Sequence, residues 1–293
     1  MTAIALSPGA ARPNKTGRVK ARRVLPGFGL ALGGTLLYLA IIVLLPLAAL
    51  LLKSAEIGPD GFLRLLTSPR VLASLQLTVS AAALATLFNA AYGLLMAWIL
   101  VRYEFPGKRI LDALIDLPFA LPTAVAGIAL TALYANNGWY GQFIEGEAGI
   151  KVAYTIIGVA VAMAFTSVPF VVRTVQPVLE DIQPDIEEAA ATLGAYRGVI
   201  FRKVLFPAIF PAYLTGCALA FARSLGEFGA VIFIAGNLPF KTEIAALLIF
   251  IRLEEYDYPA AAALAVVLLA GAFCILLVTN AIQAWHMRYK MKG

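Results

Sequence analysis

Pro184-Asp185-Ile186-Glu187-Glu188-Ala189-Ala190-Ala191-Thr192-Leu193-Gly194 lies in a polar interval, residues 176–207, between two long apolar runs. Pro184 stands just outside the start of a helix. Asp185 is placed to cap its first turn, and Glu188, three residues on, to return the bond in a reciprocal capping box. Ile186, Ala189, Ala190 and Leu193 fall at i, i+3, i+4 and i+7, one apolar stripe about 12 Å long, and Gly194 stops the helix. Small alanines on that stripe let another protein's surface approach closely. A solvated linker between two spans would need no such stripe, so the segment reads as a short helix built to be gripped.

The flanking sequence fixes the class. Hydrophobic residues make up 61% of the 293 and charged residues only 14%, against about a quarter charged in soluble proteins. Apolar, nearly charge-free runs at 24–52, 71–101, 117–144, 152–172, 204–222 and 258–287 each reach the ~18 residues that a spanning helix needs. The expectation is an all-α membrane protein with six transmembrane helices in one domain, residues 24–287, between a basic tail at 1–23 and a short tail at 288–293. The apolar stretch 244–251 is too short to cross and belongs in an outer loop or dips partway in. The first run is too long for a cleavable signal core and reads as a retained anchor.

Orientation follows from Lys and Arg. With the N-terminus inside, 16 of the 23 basic residues fall on inner segments, so both termini and residues 176–207 are expected in the cytoplasm. Glu145, Glu147, Glu254, Glu255 and Asp257 collect on the other side. The net charge of +6 therefore reflects topology and anionic membrane lipid, with no call for nucleic acid.

Several chemistries are excluded. No G-x-x-x-x-G-K-[ST] phosphate loop occurs, so the chain cannot hydrolyse ATP alone. One histidine and two isolated cysteines offer neither metal-ligand spacing nor a nucleophilic triad, and no catalytic residue, metal or cofactor is expected. Cys217 and Cys274 read as small buried hydrophobes, and His286 beside Trp285 as an interfacial anchor.

Glu188-Ala189-Ala190, three residues, Gly194, nine residues and then Val204-Leu205-Phe206-Pro207 resembles the EAA-x3-G-x9-I-x-L-P motif in permease subunits of binding-protein-dependent ABC importers. Arg223-Ser224-Leu225-Gly226-Glu227-Phe228-Gly229-Ala230, together with residues 102–108, 117–127, 164–173 and 252–259, is similar to the sulfate/thiosulfate permeases. Residues 232–259 look like the T-type subunit in particular. Molybdate permeases share the 223–230 core and are the nearest alternative. The resemblance implies a type I ABC importer permease fold in a bacterial inner membrane. It also implies an assembly with a second, W-type permease subunit, two ATPase subunits and a periplasmic sulfate/thiosulfate-binding protein. On that resemblance, Asp185, Glu187, Glu188, Ala189, Ala190, Leu193, Gly194 and Pro207 belong to the segment that couples to the ATPase. A secondary transporter would instead need inverted repeats and several midplane carboxylates, and neither is present.

Arg223 and Glu227 lie one helical turn apart within the fifth apolar run, where ions are costly. Two readings stay open: an intrahelical pair that stabilises the span, or a pair facing the translocation path, in which Arg223 attracts the dianion and Glu227 prevents tight capture. Asp112 and Asp116 are expected to pair near Lys108 and Arg109 at the membrane interface. Pro118, Pro122, Pro169 and Pro211 should interrupt helices at membrane depth. Gly33, Gly34, Gly127, Gly226 and Gly229 should admit neighbouring helices.

Overall fold

A computed structural model describes the backbone of residues 27–290 and the side chains of residues 27–283. The tail expected at 1–23 lies outside the described residues, as do the side chains of the 288–293 tail, Trp285 and His286. Every regular element among the described residues is a helix. The chain divides into two compact units, Met1–Ala48 and Ala49–Gly293. The first carries most of α1 (Phe28–Ala55), apolar on every side and without a buried residue, the pattern of a helix that faces lipid. Within this unit a Cβ at Gly33 or Gly34 would meet nothing within 4 Å.

The second unit holds α2 (Gly58–Thr67), α3 (Pro69–Arg102), α4 (Lys108–Ile115), α5 (Leu117–Ala120), α6 (Thr123–Tyr134) and α7 (Trp139–Ala148). After them come α8 (Ile156–Asp181), α9 (Pro184–Thr192), α10 (Arg197–Leu225), α11 (Val231–Ile234), α12 (Ala245–Glu254) and α13 (Tyr258–Lys290). The helices α1, α3, α8, α10 and α13 are long and apolar enough to cross a bilayer, in line with five of the six expected spans. Run 117–144 is different: it is assembled from α5, α6 and α7. Pro122 has no N–H for the carbonyl of Pro118 and biases Leu121 out of helical geometry; Leu121 is extended, at ψ 135°. Since α6 alone is about 18 Å long, it needs α5 to approach the ~30 Å of hydrocarbon.

Small residues draw α3 and α10 onto α8. A Cβ at Gly93 would lie 2.8 Å from the Val171 side chain, and one at Gly216 would lie 2.9 Å from the Val171 Cα. Val171 is thus squeezed from two sides at the crossing of three spans. Ala81, Ala82, Ala85, Ala162 and Ala164 continue the seam as buried residues, the small-residue packing that lets membrane helices gain dispersion contact without a hydrophobic driving force.

Prolines act less uniformly than expected. Pro169 and Pro211 sit inside continuous helices, as does Pro177, and only the Pro118/Pro122 pair breaks one. Pro46 and Pro207 each follow a π-helical turn, Ala40–Leu44 and Phe201–Leu205. The wider turn moves the carbonyl four residues back away from the proline ring, which removes the clash that would otherwise kink the helix. α10 therefore starts at Arg197, seven residues before the expected Val204, and the basic connector is itself helical. α12 is the short apolar helix expected near 244–251; Ala245, Leu247 and Leu248 are buried, and its first N–H, at Ala245, donates to Thr78 Oγ1 at 2.9 Å.

Candidate functional site

α9 is a helix of nine residues whose apolar stripe is uncovered: Ile186 is 48% and Leu193 89% exposed. The cap differs from the one expected. Gln183 is the N-cap, Pro184 is the first helical residue, and no side chain caps the turn; Pro184 fits there because its missing N–H is one that the helix start leaves unpaired anyway. Asp185 and Glu187 lie in the first turn, where carboxylates complement the helix dipole. The stop is as expected. Gly194 has φ +85°, its N–H donates to Ala191 O at 2.9 Å, and that of Ala195 donates to Ala190 O at 3.1 Å. Glu188 and Ala189 are exposed and Ala190 half-buried, while Glu187 turns inward to Arg102, its carboxylate 2.6 Å from the guanidinium. Pro207 is half-buried in α10, away from the stripe-bearing helix in sequence and in element.

The second cluster surrounds the end of α10. The helix stops at Leu225, so Arg223 lies in its last turn and Glu227 in the turn beyond it, not in one continuous span as expected. Their charged atoms are 2.7 Å apart, with Glu227 only 1% exposed and Arg223 34% exposed. The pair lacks a well-aligned hydrogen bond at Glu227 Oε2, whereas Oε1 accepts from the Ala230 N–H at 3.0 Å. The carboxylate is thus fixed by the backbone of its own turn as well as by the arginine. That turn presses on α6: a Cβ at Gly127 would lie 2.4 Å from Ala230 O, and one at Gly229 would lie 2.1 Å from Thr123 Oγ1. Gly127 and Gly229 make the expected close approach; Gly226 has only Arg223 O, at 4.0 Å, and does not.

Beside Arg223, Ser224 joins a fully buried polar relay that links three spans. Ser224 Oγ donates to Ser167 Oγ at 3.1 Å, Asn89 Nδ2 to Ser167 Oγ at 2.8 Å and to Ala164 O at 3.0 Å, and Ser167 Oγ to Met163 O at 2.6 Å. Sequence reasoning passed over this relay, although an asparagine in the middle of an apolar run is a visible signal.

Two arginine forks were also missed. Arg173 on α8 donates to both carboxylate oxygens of Asp116, at 2.8 and 2.6 Å, and to Asp112 Oδ1 at 2.7 Å. The expected partners are thus corrected: Lys108 instead pairs with Glu104 at 2.6 Å. Arg70, the second residue of α3, forks onto Glu243 at 2.8 and 2.6 Å, and Glu243 is 2% exposed. Planar bidentate geometry makes such forks directional clamps between segments far apart in sequence.

Among the described residues no group of three or more His, Cys, Asp or Glu is placed to hold a metal ion. Cys217 is half-buried and Cys274 exposed, so only the former approaches the buried role expected.

Residues 89–288 match the family model described as binding-protein-dependent transport system inner membrane component. The chain belongs to this family of permeases. It is 57% identical over 266 residues, 91% of this chain and 96% of the relative, to the sulfate transport system permease protein CysT of Salmonella typhimurium. It is 56% identical, with the same coverage, to the protein of that name from Escherichia coli K12, and 49% identical over 87% of this chain and 89% of the relative to that of Synechocystis. The T-type sulfate permease resemblance read from the sequence stands. A crystal structure of a bacterial alginate ABC transporter in complex with an alginate-bound periplasmic protein superposes with TM-score 0.72, covering 87% of this chain and 92% of that one. An inward-facing methionine transporter superposes at 0.56, covering 75% and 99%. Both are 17% identical to this chain and establish the fold: an all-α, type I ABC importer permease.

Proposed function

We propose that this chain is the membrane-spanning permease subunit of an ATP-driven ABC importer that carries sulfate, and with it thiosulfate, across the bacterial inner membrane. The observation that carries the anion assignment is the identity of 57% over 91% of the chain to a permease named for sulfate transport. The working assembly comprises this T-type subunit, a W-type permease, two ATPase subunits and a periplasmic binding protein that delivers the anion. ATP hydrolysis belongs to the partners, because this sequence has no phosphate loop. α9 supports the route of coupling: it is a helix with an open apolar stripe and a free Glu188, shaped to sit in a cleft of an ATPase. Both termini and residues 176–207 then face the cytoplasm, and ATP-driven closure rocks the permease halves between inward- and outward-facing states. At the end of α10, Arg223 is exposed enough to offer positive potential to a passing dianion. Glu227 beside it keeps the anion from dwelling.

Co-expression with the cognate W-type permease, ATPase and binding protein in a strain without sulfate importers tests this reading. Labelled sulfate should enter in an ATP-dependent manner, with excess thiosulfate competing and excess molybdate leaving uptake unchanged. Uptake of molybdate in preference to sulfate would overturn the anion assignment, and sulfate entry without the ATPase would overturn the importer class.

A further inference from the structure

α9 joins its neighbours through two short non-helical connections. On one side Ile182 and Gln183 are extended, with ψ 108° and 139°; on the other Gly194 is left-handed, free of a Cβ and open to space. A displacement of α9 by a partner would be absorbed in these elbows unless something stiffer tied the helix to the spans.

Arg102, the last residue of α3, is that tie. One terminal nitrogen of its guanidinium lies 2.6 Å from Glu187 Oε1 and donates to the Ile182 carbonyl at 3.4 Å. It thereby holds both α9 and the segment that feeds it. The guanidinium lies 6.0 Å from the centre of the Trp98 ring, one turn back on α3. Arg102 and Glu187 are 17% and 29% exposed, so the pair is shielded on most sides. At its other end, about 50 Å away along a helix of 34 residues, α3 is clamped by the Arg70–Glu243 fork, and between them it packs along α8 and α10. α3 is therefore a rod with an arginine clamp at each end.

We propose that Arg102 is a positioning residue that makes α3 the mechanical output of α9: the Arg102–Glu187 pair passes the movement of the coupling helix into the membrane core. The inference rests on the coupling role proposed above, and it divides the two adjacent glutamates. Glu188 faces the ATPase, and Glu187 faces the permease.

The full transporter in lipid nanodiscs with its binding protein and sulfate gives the test, with sulfate translocated per ATP hydrolysed as the readout in matched liposomes. The parental complex, measured first, tests the functional reading by itself. Arg102→Ala and Glu187→Ala should assemble with the ATPase at parental levels and still hydrolyse ATP. Their sulfate moved per ATP should fall about fivefold or more, the lower end of ordinary coupling energies. The exchange Arg102→Glu with Glu187→Arg should recover at least about half of the parental ratio. Single variants within about twofold of the parent would overturn the proposal, and so would an exchange no better than the singles. Should the alanine variants fail to accumulate, Glu187→Gln keeps the shape and removes the charge: a parental ratio there overturns the proposal, and a ratio reduced about fivefold at normal abundance upholds it.

Discussion

Replacing Gly194 probes α9, the proposed coupling helix, without touching its apolar stripe. Gly194 has φ +85°, and a Cβ built on it meets nothing within 4 Å. The cost of a side chain is therefore conformational and not steric, about 1–2 kcal/mol for an ordinary L-residue held in the left-handed region. Asparagine tolerates that region and should cost less, while a β-branched residue costs more. The two bonds at stake run from the N–H of Gly194 to Ala191 and from the N–H of Ala195 to Ala190. A nine-residue helix is shorter than the ~12–15 residues at which isolated helices become marginal, so it has little reserve to absorb the loss. At 1.4 kcal/mol per factor of ten, the alanine variant should populate the closed helix end roughly five- to thirty-fold less relative to open forms. Amide exchange of the peptide spanning residues 183–196, measured in nanodiscs, should quicken in the order Gly194, Asn, Ala, Val. ATP-dependent sulfate uptake should decline in the same order at constant membrane abundance. Equal exchange in the Asn and Val variants, or a Val variant with parental protection and uptake, would refute the reasoning.

Reporter fusions facing the periplasm should be active after Leu52, within residues 136–151 and within 237–257, and silent at the C-terminus; an active C-terminal fusion contradicts the topology. The double change Arg223→Gln with Glu227→Gln removes both charges while keeping hydrogen-bonding capacity, so it should assemble at normal levels yet take up sulfate poorly. Near-parental uptake would leave the pair a purely structural role. Gly127→Ala drives a methyl against the backbone of Ala230, at 2.4 Å, and should cost about 1–3 kcal/mol. Its thermal midpoint in detergent should fall, whereas Gly271→Ala, which meets nothing within 4 Å, should not lower it.

The long spans were legible because bilayer thickness imposes a length on every apolar run, and α3, α8, α10 and α13 follow theirs within a few residues at most ends. The helix around Glu188 was legible for a local reason: stripe, alanines and stop glycine all act within one turn or two. The third run, counted as one span because hydropathy adds residues without regard to proline, is broken where Pro118 and Pro122 were expected to interrupt it. The capping box failed because Pro184 suits the first helical position better than a place outside it. Partners separated by long sequence distances were not legible. Nothing near Asp112 and Asp116 points to Arg173 on another span, and the nearby Lys108 offered a misleading local answer.

The break between α5 and α6 bears on what can wet this protein. Pro118 is buried, but Ala120 and Pro122 are exposed in the isolated chain, and the geometry around Leu121 leaves peptide groups outside any helical ladder. Hydrocarbon tails cannot solvate a peptide group, and each one left bare among them costs several kcal/mol. Lipid is therefore excluded from that side of the molecule, which must meet either a neighbouring protein surface or a column of water. In the assembly proposed above, that face is one for a partner subunit or a water-filled path, and not for lipid.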